Sequence, residues 1–103
     1  MGFGKQVANR PGWTHGQKTV DAAGTAEQLP SQAIPDGLEL VVRALPGNTG
    51  NIFLGKTQAL AESATDRLQF SAGNGPTLKI KNLDQVWLDA AVNGEGVDYW
   101  VEI

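Results

Sequence analysis

The sequence predicts an all-β fold, an antiparallel β-sandwich, and three observations carry that prediction. Short apolar stretches are separated throughout by clusters of Gly, Pro, Asn and Asp, the punctuation of many strands joined by tight turns. Leu38 to Leu45 and Thr77 to Lys81 alternate apolar and polar side chains with the period of a half-buried strand. No amphipathic helix is long enough to make the crossovers of a βαβ architecture. About eight short strands fit the chain, and jelly-roll and immunoglobulin-like connectivity are both open.

Length and composition agree with a single domain. A chain of 103 residues can bury a real core but has no room for a second one. Its residues are 41% hydrophobic and 18% charged, so it carries enough apolar surface to fold. The formal net charge of −3, with Lys and Arg scattered from Lys5 to Lys81, argues against a nucleic-acid partner held by phosphate contacts. No apolar run approaches the roughly 20 residues that cross a bilayer as a helix, so no membrane role is expected. The start, Met-Gly-Phe-Gly-Lys-Gln, lacks the apolar region of a signal peptide, and synthesis in a cytoplasm without export by the general secretory route is expected.

Residues 1–16 hold Gly2, Gly4, Pro11, Gly12 and Gly16 with little periodicity and read as an extended N-terminal arm, leaving 17–103 as the sandwich. Phe3, Arg10 and Trp13 lie in that arm. Their expected use is docking on the chain's own domain, a neighbouring subunit or another protein, with Trp13 capping the core as the plainer alternative. Gln17 to Asp21 and Thr25 to Leu29 read as two short strands. Pro30 and Pro35 then bracket a segment that belongs on an edge or in a crossing loop, because proline has no amide proton for a ladder. Asp36-Gly37 turns the chain into the strand Leu38 to Leu45, with Leu38, Leu40, Val42 and Ala44 on the core face.

Pro46 to Gly50 reads as a turn whose Gly and Asn tolerate positive φ, and Asn51 to Gly55 as the next strand. Thr57 to Arg67 is the one stretch where helix competes, and it supports a single helical turn or a loop. Leu68 to Ser71 and Thr77 to Lys81 are strands around the turn Ala72 to Pro76. Gln85 to Val92 and Gly96 to Ile103 close the chain as a hairpin across Asn93-Gly94-Glu95. On this pattern Val86, Leu88 and Ala90 face inward, Trp87 and Asp89 outward, and Trp100 lies on the face opposite Tyr99.

Chemistry-bearing patterns are sparse. Without cysteine, thiolate metal sites and thiol nucleophiles are absent. The single histidine, His15, sits in the arm, so neither a two-histidine zinc site nor a hydrolase triad is expected. Asp84, Asp89, Glu95, Asp98 and Glu102 cluster in the last two strands and read as a solvated polar face that keeps strand edges apart. Neither glycine-rich stretch, Gly47 to Gly50 or Gly73 to Gly75, ends as a phosphate loop does. No catalytic residue, metal or cofactor is assigned, and the chain reads as non-enzymatic. Trp13, Trp87 and Trp100 stand out as contact residues, since aromatic faces anchor protein interfaces or stack on sugars.

Thr19 to Leu29 (TVDAAGTAEQL), Leu38 to Gly55 (LELVVRALPGNTGNIFLG) and Val86 to Val101 (VWLDAAVNGEGVDYWV) together resemble small virion structural proteins of tailed bacteriophages, of the decoration or cement type. The resemblance implies a β-sandwich on the outside of a phage head, often a homotrimer seated where capsomers meet. Its partner would be the major capsid protein or another virion protein, and its location the virion. It carries no catalytic residue to transfer. The alternative is a carbohydrate-binding or receptor-attachment module of a tail or baseplate, with Trp87 or Trp100 as a sugar platform.

Overall fold

In the computed structural model, which describes residues 12–102, eight strands form two four-stranded antiparallel sheets around one core. In chain order these are β1 (Trp13–Thr19), β2 (Glu27–Gln28), β3 (Leu40–Ala44), β4 (Ile52–Gly55), α1 (Gln58–Glu62), β5 (Leu68–Phe70), β6 (Thr77–Leu78), a 3-10 turn (Leu83–Gln85), β7 (Trp87–Ala90) and β8 (Gly96–Glu102). The front sheet runs β1-β8-β3-β6 and the back sheet β2-β7-β4-β5. Among these elements only β4 and β5 are sequence neighbours paired side by side; every other connection hops between the sheets.

Period-two alternation explains the core. Leu40, Val42 and Ala44 of β3 and Val97 and Val101 of β8 point inward from the front sheet. They meet Ile52 and Leu54 of β4 and Leu88 and Ala90 of β7, all buried. Val20, Leu29 and Ile34 from the loops and Leu83 from the 3-10 turn belong to the same cluster. The 3-10 turn is fixed by a capping box: Asn82 Oδ1 accepts from Asp84 N–H at 3.0 Å, and Gln85 Oε1 accepts from Asn82 N–H at 3.2 Å.

Several expectations need correction. The sandwich begins at Trp13, not Gln17, because residues 13 to 16 already pair with Tyr99 to Glu102 of β8. Trp13 to Thr19 has no apolar stripe, so its own pattern reads as strand only from Gln17 on; the partner β8 holds the rest there. The rest of the arm, with Phe3 and Arg10, lies outside the described residues.

The closing hairpin does not exist. β7 and β8 lie in different sheets, and Asn93-Gly94 turns the corner between them, with Gly94 at φ 81°. The Pro46 to Gly50 turn forms without any positive φ. In its place Glu95 accepts backbone N–H groups from Thr49 and Gly50 at 2.7 and 2.9 Å.

Candidate interaction face

The outer faces of the two sheets differ. Over the back sheet, α1 and its flanking loop pack on β4 and β7. Thr57 starts the helix, its Oγ1 accepting from Leu60 N–H at 3.2 Å. The helix lies so close to β4 that a side chain at Gly55 would overlap the backbone of Ala61. Phe53 is buried beneath this cover, with the Arg67 guanidinium 3.4 Å from its ring centroid.

That cover also corrects the expected position of Asp89. Asp89 and Trp87 do share the outer side of β7, but Asp89 is 1% exposed, accepting N–H from Gly24 at 2.9 Å and from Ala90 at 2.8 Å. Trp87 is half-buried opposite Gln28 and Gly55. It stands apart from the other two tryptophans, on the opposite sheet.

No helix or strand of the described residues covers the front sheet. Its outer face is set by one ladder parity: Trp13, His15 and Gln17 on β1, Asp98, Trp100 and Glu102 on β8, Val41 and Arg43 on β3. The register places His15 opposite Trp100, which is opposite Val41, and Gln17 opposite Asp98, which is opposite Arg43. Trp13 lies diagonally from Trp100, within reach of a large aromatic ring. Trp13 is 65% and Trp100 39% exposed. The Trp13 and His15 rings stack at 5.0 Å between centroids with 25° between planes.

Beside the rings opens a shallow trough of about 680 Å³, lined by Trp13, Leu38, Glu39, Val41, Trp100 and Glu102 with Gly12 and Gly37. Arg43 donates to both Asp98 oxygens, at 3.1 and 2.6 Å, a two-pronged pair that fixes the polar end of the face. Donating to Asp98, and then the charge of that carboxylate, pushes the Arg43 guanidinium up from its already high value. The face can therefore offer flat aromatic area and two carboxylates at its rim, the exposed Glu102 and Glu39, whose Oε1 lies 3.8 Å from Lys79 Nζ.

Of the five contact residues read from sequence, the fold brings Trp13 and Trp100 together, separates Trp87, and leaves Phe3 and Arg10 outside the described residues. His15, Val41 and Arg43 were missed as members of the face. The only sequence signal for them is parity, and parity across β1, β8 and β3 is readable only once the strand register is known.

The presumed solvated carboxylates divide by role. Glu102 is exposed and Asp98 is paired with Arg43, while Glu95 ties down residues 49 and 50. Those N–H bonds, Thr49 first and Gly50 next, hold the Glu95 carboxyl below its usual 4.5. Among the described residues no group of three or more metal-ligating side chains forms. No protein-family model matches the chain, and neither the curated proteins nor the solved structures give a significant match.

Proposed function

We propose that this chain is a non-enzymatic assembly subunit of a tailed-phage particle, a decoration protein that seats its front-sheet face on the assembled head. The observation that carries this reading is the exposed Trp13–His15–Trp100 cluster on the outer face that no described helix or strand covers, while α1 covers the opposite one. Tryptophans in an otherwise polar surface are the residues that dominate protein interfaces. A subunit that binds only the assembled lattice stabilises it by mass action, and many copies in array add avidity to modest single contacts.

The strand order supports a jelly-roll over an immunoglobulin-like sandwich. Immunoglobulin connectivity pairs the first two strands within one sheet, whereas here β1 and β2 lie in different sheets. Orders β1-β8-β3-β6 and β2-β7-β4-β5 are what a doubled-over pair of Greek keys produces, an architecture common to capsid and lectin domains.

The test is co-sedimentation with expanded heads assembled from the capsid protein of the same genome. Binding should saturate at a fixed number of copies per lattice unit. The double variant Trp13→Ala/Trp100→Ala should weaken it by about tenfold or more, the scale of an interface hot spot. A specific observation favours one rival: stacked rings beside Glu39 and Glu102 also suit a neutral glycan. Saturable glycan binding with no head binding would replace the assembly reading.

A further inference from the structure

We propose that β1 is a pairing edge for β1 of a second copy of this chain, joining two front sheets into one continuous sheet across a two-fold axis at Gly16. This goes beyond the reading above and does not depend on what the aromatic face binds.

The four sheet edges are unequal. β2 and β6 have two residues each, followed closely by Pro30 and preceded by Pro76, and β5 has three. Short strands and nearby prolines are how natural sheets keep their edges from pairing. β1 is the longest of the four edges and has no proline within it: it runs for seven residues in continuous register with β8, and Pro11 precedes its first residue. Its one charge at neutral pH beyond any on His15, Lys18, is tied to Glu27 at 2.8 Å, so two copies bring no charge run against another.

Ladder parity shows which backbone groups face out. Val20 N–H donates to Glu95 O at 2.9 Å, and Val20 and Glu95 extend the β1–β8 register, so Thr14, Gly16 and Lys18 bond inward to β8. Trp13, His15, Gln17 and Thr19 then point their N–H and C=O groups away from the sheet. No described residue bonds to these groups.

An antiparallel two-fold centred on Gly16 sets His15 opposite Gln17 of the second copy and Trp13 opposite Thr19. All four outward residues of each strand then meet outward residues of the other. Gly16 meets Gly16 in the closely spaced, non-bonded position, where the missing Cβ leaves room. Tyr99 already occupies the space on the inner side of Gly16, so a larger residue was excluded there in any case. The contact is isologous, closing at two copies, where the family resemblance implies three.

Light scattering on the full chain over a range of concentrations tests this, with hydrogen exchange on the same samples. A two-chain mass with slowed exchange at Trp13, His15, Gln17 and Thr19 is expected. Gln17→Pro removes an outward N–H that the chain's own ladder does not use. It should restore the single-chain mass at concentrations where the parent is paired. His15→Lys/Gln17→Lys, which faces lysines with lysines across the seam, should do the same at low salt and pair again at high salt. A single-chain or three-chain parent overturns the proposal, as does a pair that survives both variants. Head binding by a single-chain form would leave the proposed function standing while this pairing falls.

Discussion

Single side chains at the sheet corners hold the loops that join the two layers. Asp89 shows this most clearly, because its buried carboxylate anchors the 20–26 loop through Gly24. Asp89→Ala should lower unfolding free energy by about 1–3 kcal/mol by orphaning that N–H, and Asp89→Asn should recover part of the loss by keeping an acceptor. Denaturant unfolding with a constant m-value checks both. Gly55 is constrained from the other side: Gly55→Ala should cost about 1–3 kcal/mol, because α1 must move off β4 to admit the methyl group. Glu95 and Glu27 make stability depend on acid. Both carboxyls are held below their usual 4.5, Glu95 by Thr49 and Gly50 N–H and Glu27 by Lys18, then Asp21 N–H. A depressed folded-state pKa gives stability that is present above about 4.5 and lost as pH falls through the lower folded value. The melting temperature should therefore drop below pH 4.5, and Glu95→Gln should flatten that drop.

At the scale of elements, strands with an apolar stripe were the most legible, whereas β1, without one, was legible only from Gln17 on. β3 announces itself through Leu40, Val42 and Ala44, and β8 through Val97, Tyr99 and Val101, since each side chain's burial follows its parity. β1 has threonine, glycine and lysine on its inner side and is a strand because β8 supplies the ladder. Leu88→Ala, in the middle of β7 and fully buried, should cost about 2–5 kcal/mol in chemical denaturation, because the two sheets cannot close the cavity from both sides. Trp100→Ala, on the outer side of β8, should change stability far less, a contrast that separates core from contact tryptophans. Thr57 to Arg67 reads as a single helical turn or a loop, and it holds the five-residue α1 followed by a loop. Its role was not readable, because what it covers, Phe53 and Asp89, comes from strands distant in sequence or facing the wrong way by local pattern.

For the whole molecule, the topology predicts slow folding. Among the described strands only the β4–β5 ladder joins neighbours in sequence, and the first of them, β1, must find the last, β8. Sandwiches dominated by such pairings fold in roughly milliseconds to seconds, so stopped-flow refolding should show no sub-millisecond approach to the native signal. By itself the sequence determined the class: eight short strands, an antiparallel sandwich, its core stripe and the absence of crossover helices, because burial parity and turn chemistry are local properties. Only the tertiary structure decided which sheet each strand joins, that Asn93-Gly94 is a corner and not a hairpin, and that Trp13 and Trp100 share one outer face while Trp87 stands on the other side. Those outcomes depend on which distant strand supplies each backbone partner, and a run of alternating residues satisfies its own pattern equally well beside any of them.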